Sequence, residues 1–462
     1  MPETAKIPVE KVRQLQRKLY VCAKQSRTRR FHALYDRIYR SDVLWEAWRR
    51  VRSKGGAAGV DAETIQAIEQ RGPGEFLVEI QAALRAGRYR PSPVKRRYIP
   101  KADGKQRPLG IPTVRDRVVQ MAAKLVMEPI FEADFQPSSY GFRPKRSATQ
   151  ALEAIRVAGN QGHNFVVDAD IQGYFDNIQR ETLMELVKER ISDRRVLKLI
   201  RQWLEAGVME DGTVRETLAG TPQGGVISPL LANIYLNKLD RIWAARCSQL
   251  GILVRYADDL VAMCRSASAA KEALRRIGLV MSRLGLTLHP VKTRLVDLRR
   301  GKESFVFLGC TIRKKRSIQR NPRWYFMQRW PSPKATKKLR DRVRELTDKR
   351  QSGKEVKRII AELTPALRGW GNYFRTGNAD REFNKMDYFV VKSLRRWQYR
   401  RGGQRPTKRA PFTGQQLYGM GLHRLMGTVK YPAQATPRRS SVSRVPENGM
   451  HGLKGEIRNG LA

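Results

Sequence analysis

Val12, Leu15 and Leu19 recur at helical spacing in a stretch otherwise filled with Lys, Arg and Gln, so residues 1 to 50 are predicted to be mostly helical with one apolar face. The glycine-rich run Lys54-Gly55-Gly56-Ala57-Ala58-Gly59-Val60-Asp61 breaks that period. Further on, Asp103-Gly104 between two β-prone stretches is a hairpin-turn signal. Helical periods are read from about Arg115 to Met127, over 180 to 206, over 230 to 247 after the helix start Ser228-Pro229, and from about Ser268 to Leu284. Strands are read at Phe165-Val166-Val167-Asp168-Ala169-Asp170-Ile171 and on both sides of Tyr256-Ala257-Asp258-Asp259, where Ile252–Arg255 precedes and Leu260–Met263 follows. Pro331-Ser332-Pro333 marks a joint, with three or four helices beyond it. From about Arg401 the chain is rich in Gly, Pro, Ser and Arg and reads as a poorly ordered basic tail.

Charge sets the class of partner. The chain has 462 residues, enough for about three domains, and carries 91 Lys and Arg against 43 Asp and Glu, a net charge of +48. Such an excess calls for a polyanion held along an extended face. The sequence has no run of about twenty apolar residues and no apolar signal core, which favours nucleic acid over a membrane. Cys22, Cys247, Cys264 and Cys310 are far apart, and the five histidines are equally scattered. That spacing suggests neither a zinc site nor a disulfide framework and fits a reducing cytoplasm.

The candidate chemistry lies in the acids. Asp258 and Asp259 fall at the tip of the predicted hairpin, and Asp170 lies at the end of the strand upstream. Adjacent carboxylates in an apolar frame require a cation between them and a partner. Three of them on neighbouring strand ends suit two Mg²⁺ ions, which clamp the attacking and leaving oxygens of an in-line phosphoryl transfer. Lys101 and Arg107 flank the Asp103-Gly104 turn, where they could hold a triphosphate or decorate a solvated hairpin. The Gly-rich run beside Lys54 could cradle a phosphate or serve as a turn.

In chain order, Asp170-Ile171-Gln172-Gly173-Tyr174-Phe175-Asp176, Thr221-Pro222-Gln223-Gly224-Gly225 through Asn233, and Tyr256-Ala257-Asp258-Asp259 resemble the reverse transcriptases encoded by bacterial group II introns, which also serve as maturases. Ser139-Tyr140-Gly141-Phe142-Arg143-Pro144, Leu286–Thr293, Phe305–Gly309 and Leu363–Phe374 extend the resemblance over roughly residues 50 to 400. The resemblance implies an α+β right-hand polymerase. Its parts would be a basic helical extension (1–50), fingers (51–165), a palm of antiparallel sheet and helices (166–315), a helical thumb or domain X (316–400) and a basic DNA-binding tail (401–462). No paired cysteines of a His-Asn-His endonuclease are found.

For the site, the resemblance implies that Asp170, Asp258 and Asp259 hold two Mg²⁺ ions, with the Ile171 carbonyl as an extra ligand. Lys101, Arg107 and Gln223 would meet the incoming deoxynucleoside triphosphate, and Phe175 would exclude a ribose 2′-hydroxyl. Lys54, Arg143, Lys292, Arg368 and Trp370 would contact nucleic acid. The implied partners are intron RNA, an RNA template with its DNA primer, and target DNA, in the bacterial cytoplasm. The implied function is RNA-directed DNA synthesis coupled to intron splicing and to copying of the intron into DNA. A relative recruited to DNA repair or phage defence, or a splicing factor with vestigial polymerase activity, is the alternative.

Overall fold

The structure, a computed structural model, describes residues 6–100, 106–210, 213–215, 224–317, 323–401 and 412–430. The strands in chain order are β1 (Val94–Pro100), β2 (Gln106–Ile111), β3 (Phe165–Ala169), β4 (Val208–Glu210), β5 (Thr213–Arg215), β6 (Gly251–Tyr256), β7 (Asp259–Cys264), β8 (Arg294–Asp297), β9 (Ser304–Phe307), β10 (Cys310–Arg316) and β11 (Tyr325–Pro331). Among the described residues they form three sheets, in the orders β2-β1-β4-β5, β6-β7-β3-β8 and β11-β10-β9. With the helices around them this is a mixed α+β fold. Among the described residues no helix is long and apolar enough to cross a membrane.

The described residues divide into two compact units that are discontinuous in sequence. The first lies within Met1–Ser147, Ala169–Ala262 and Ser268–Arg294, the second within Ala148–Asp168, Met263–Ala267 and Leu295–Ala462.

The first unit is organised around the helix Val114–Glu132. Thr113 caps it by accepting from the Asp116 amide, and it is buried on nearly every side from Val114 to Phe131. Its buried polar members are paired, Asp116 with Thr113 and Tyr89 and Arg117 with the Ala57 carbonyl. The helices Lys6–Gln25 and Ser41–Lys54 pack on it, and Gln16 Nε2 donates to the Leu125 carbonyl at 2.9 Å. Val12, Leu15 and Leu19, the period read from the sequence, form the buried face of Lys6–Gln25. Residues 180–206, read as one helical stretch, are two helices, Arg180–Lys188 and Arg194–Glu205. Asp193 caps the second by accepting from the Arg195 and Val196 amides, and its other oxygen takes the Leu34 and Tyr35 amides. The break is therefore a tertiary anchor. β1 and β2 pair antiparallel with Ile99 opposite Arg107 and Pro100 opposite Gln106.

In the second unit the helix Ala148–Asn160 packs on β11. Gly159 leaves room for Met327, whose Cγ lies 2.4 Å from where a Cβ would stand. Beyond Pro331, Ser332 caps the helix Pro333–Leu346, followed by Val356–Phe374 and Asp380–Arg401. The expectation of poor order after Arg401 fails for residues 412–430. There Thr413 and Gln416 form a capping box for the helix Gly414–Gly419. Leu417 and Leu425 are fully buried, and the Leu425 and Met426 amides donate to Asp387. Leu425 reaches Gly371 so closely that a Cβ there would lie 2.6 Å from its Cδ2.

Candidate active site

β6 and β7 are joined by Ala257 and Asp258 alone, so Asp258 sits in the turn and Asp259 opens β7. Ala257 holds φ at +57°, a left-handed conformation that costs an L-residue about 1–2 kcal/mol. Packing over-determines it. Gly141 lies against the turn so tightly that a Cβ would stand 2.3 Å from the Ala257 nitrogen. The Tyr140 amide donates to the Arg255 carbonyl at 2.8 Å, and the Arg255 amide to the Ser138 carbonyl at 2.8 Å. The segment Ser139-Tyr140-Gly141 thus braces the hairpin from one side, while Asn233 Nδ2 holds the Gly141 carbonyl at 2.8 Å.

Beneath the turn lies a fully buried cation. Arg255, read from the sequence only as part of an apolar frame, donates through Nε to Asp240 at 2.9 Å. Its Nη1 donates to Asn233 Oδ1 at 3.0 Å and to the Ala257 carbonyl at 2.8 Å, and its Nη2 to Ser139 Oγ at 2.8 Å. Asp240 and Asn233 come from one face of the helix Ser228–Arg246. Tyr174 is buried beside this network and donates to the Ala232 carbonyl at 2.6 Å. Burial first, then the nearby Asp258 charge among others, keeps its phenol protonated well above the usual tyrosine range.

Asp170 follows β3 directly, and β3 neighbours β7 in the sheet. Its carbonyl accepts from the His289 amide at 2.8 Å, and Ile171 bridges to Leu288. The Ile171 side chain is buried. The Lys292 ammonium lies 2.9 Å from Asp170 Oδ2, so this lysine, expected on nucleic acid, compensates a candidate catalytic carboxylate. Asp170, Asp258, Asp259 and Lys292 all belong to the first unit. Phe175 sits in the short 3₁₀ turn Tyr174–Asp176, tilted against Tyr174 and half-buried.

Other expected residues are placed less directly. Lys54 ends its helix and is exposed. The glycine run after it is tied down by Arg117, which donates to the Ala57 carbonyl at 2.6 Å, and Gly59 packs on the Thr113 backbone. Arg143 is buried; it pairs with Glu132 at 2.7 Å and donates to the Gln136 and Ser139 carbonyls at 2.6 and 2.7 Å. Its donors are used inside the protein, holding the segment that braces the hairpin. Lys101 and Gln223 lie outside the described residues, as does the Arg107 side chain. Gly224, next to Gln223, packs on the Gly110 carbonyl of β2. In the second unit Arg368 is exposed, whereas Trp370 stacks among Phe374 and Phe383 at 5.0 and 5.4 Å. Trp370 is therefore part of the packing of its helices.

Among the described residues no group of three or more His, Cys, Asp and Glu stands close enough to hold a metal ion. In donor chemistry the three aspartates nonetheless fit a hard divalent cation. All are carboxylate oxygens at the ends of the neighbouring strands β3 and β7, and no softer ligand is among them.

A family model for reverse transcriptase (RNA-dependent DNA polymerase) matches residues 99–312, and one for the group II intron maturase-specific domain matches residues 336–411. Protein YkfC of Escherichia coli is 36% identical over 347 residues, which cover 66% of this chain and 89% of that protein. The chain belongs to the group II intron-encoded reverse transcriptases. The group II intron-encoded protein LtrA of Lactococcus lactis is 40% identical over 214 residues, 46% of this chain and 35% of its own length. An uncharacterized 91 kDa protein in a cob intron of Schizosaccharomyces pombe is 28% identical over 77% of this chain and 52% of its own length. The chain thus spans about a third to a half of these last two relatives. Membership makes it an RNA-directed DNA polymerase with a maturase domain, and the two domains imply binding of RNA template and of intron RNA. Reverse transcriptases as a family work with divalent metal ions.

Arg255, Asp240 and Asn233 are the site residues that sequence reasoning passed over. One signal was available: a lone arginine inside an apolar strand is almost never fully buried without an acid to pair with it.

Proposed function

We propose that the protein copies an RNA template into DNA from a primer 3′-hydroxyl, with Asp170, Asp258 and Asp259 binding two Mg²⁺ ions. When bound, the ions would activate the primer hydroxyl and neutralise the leaving pyrophosphate. The chain's own residues do the rest. Asp258 and Asp259 sit at a turn braced by Gly141 and Arg255, and Asp170 follows the neighbouring strand, a placement that supports a site largely set before substrate arrives. Phe175 bars the ribose 2′-hydroxyl. Lys101, Arg107 and Gln223 hold the deoxynucleoside triphosphate, and Lys54 and Arg368 lie along the nucleic-acid track. In this reading residues 51–165, 166–315 and 316–400 are fingers, palm and thumb. The basic extension and the thumb bind the protein's own intron RNA and favour its spliced fold, and the basic C-terminal segment meets target DNA when the intron is copied into it. The work is done in the bacterial cytoplasm.

The observation that carries this reading is the turn itself, which sets Asp258 and Asp259 side by side at the start of β7 and is held from beneath by Arg255 through the Ala257 carbonyl. Asp258→Asn and Asp259→Asn are each expected to abolish primer extension on an RNA template while leaving primer–template affinity intact, because phosphate contacts elsewhere dominate binding. Extension by both variants near the wild-type rate would overturn the assignment.

A further inference from the structure

We propose that Arg255 is a positioning residue that sets the Ala257–Asp258 peptide, and so the aim of the candidate metal-binding pair. The inference rests on the reading of Asp258 and Asp259 given above. An arginine side chain offers five N–H donors in a rigid planar fork. Here every one is used. Nε and one Nη2 hydrogen go to Asp240, the other Nη2 hydrogen to Ser139, and the two Nη1 hydrogens to Asn233 and to the Ala257 carbonyl. That carbonyl belongs to the peptide bond whose nitrogen is Asp258's. Its direction fixes the plane from which the Asp258 side chain departs.

Three separate pieces of chain meet at this one group: β6 with its turn, the segment around Ser139, and the helix Ser228–Arg246. Asn233 serves twice, accepting from Arg255 and donating to the Gly141 carbonyl, so the guanidinium and the brace over the turn are one connected network. The Asp240 carboxylate compensates the charge in a site with no solvent exposure on either side chain. Stability alone gives little reason for this arrangement, since a buried ion pair can often be replaced by apolar residues without loss. Position gives a better one, because apolar contact has no direction, whereas a saturated fork fixes an orientation. A lysine would keep the charge balance with Asp240. It would supply only a flexible point charge, unable to reach Ser139, Asn233 and the Ala257 carbonyl together.

The test uses the full chain carrying Arg255→Lys or Asn233→Ala. Four quantities are read: thermal unfolding, affinity for a DNA primer annealed to RNA by fluorescence anisotropy in EDTA, Mn²⁺ affinity of the free protein by electron paramagnetic resonance, and single-nucleotide incorporation over a Mg²⁺ series. Outer partners of metal ligands typically contribute about 10–100-fold in metal affinity or activity. Arg255→Lys is expected to lose incorporation rate and Mn²⁺ affinity within that range, with primer–template affinity within about twofold of wild type, and Asn233→Ala to move the same way by less. Wild-type rate and Mn²⁺ affinity in a folded Arg255→Lys protein would overturn the proposal. So would a parallel fall of metal and primer–template affinity with the folded fraction. Should Arg255→Lys not fold, Asn233→Ala decides on the same two readouts. Asp258→Asn measured alongside separates the two claims: if it extends normally the site reading fails, whereas a neutral Arg255→Lys beside an inactive Asp258→Asn sinks only the positioning role.

Discussion

Asp258 and Asp259 are adjacent but unequally exposed, the first half-buried in the turn and the second exposed at the start of β7. Phe175 is likewise neither core nor fully solvated, and it is held by Tyr174 at 5.3 Å between centroids. Phe175→Ala is expected to narrow the preference for deoxy over ribo substrates, measured as the ratio of kcat/KM values. An unchanged ratio would reject the gate. The thiols offer an independent residue-scale check. Burial pushes Cys310 up to about 12 and Cys264 up to about 11, whereas Cys22 is partly exposed. A maleimide at neutral pH is expected to label Cys22 in the native protein and to spare Cys264 and Cys310 until it unfolds, because the thiolate is the reactive form. Mass spectrometry of the labelled peptides checks this.

At the scale of elements, the hairpin and the Ser139–Phe142 segment behave as one piece. Gly141 meets backbone atoms, which cannot move aside as a side-chain tip would. Gly141→Ala should therefore cost about 1–3 kcal/mol by overpacking, and primer extension should fall with it even where the protein stays folded. Wild-type stability and rate would show that the contact yields. The helices beyond Pro331 give a second case. Residues 412–430 cover them with Leu417 and Leu425, and the Lys430 amide donates to the Arg375 carbonyl at 2.8 Å. Ending the chain at Arg401 is expected to lower the thermal midpoint, as is Leu425→Ala, a change that typically costs about 2–5 kcal/mol in a core. This covering segment was not legible in composition, because the Gly, Pro and Arg that suggest a loose tail surround a short apolar cluster that shows its use only once it is docked.

For the molecule as a whole, a charge of +48 is expected to make the logarithm of RNA affinity fall linearly with the logarithm of salt, with a slope of about −0.7 per phosphate neutralised on single strands. Anisotropy titrations over a salt series measure it, and a flat profile would remove phosphate contact as the main grip. Acid acts differently. In the second unit Glu153 is half-buried, and its desolvation raises its pKa, but hydrogen bonds and charge from Arg156 and Arg329 outweigh that and leave it lowered. A lowered folded value means stability present above the ordinary carboxylate pKa and lost as pH falls through the folded one. Thermal unfolding should lose stability below about pH 4.5, and Glu153→Gln should flatten that dependence.

The linear string determined the helices with a clear period, the β6–β7 hairpin and the order of acids along it, because these follow from local spacing and from side chains whose chemistry is plain in isolation. It also determined that the partner is a polyanion, since net charge does not depend on the fold. Only the tertiary structure decided what distant residues do to one another. It turned Arg143 inward to Glu132, placed Lys292 on Asp170, put Trp370 into packing, and set Asp240 and Asn233 around Arg255. It likewise joined pieces far apart in sequence into two units. Each of these is a pairing between side chains whose separation along the chain carries no period, and burial, which makes such pairing obligatory, exists only after the chain has folded.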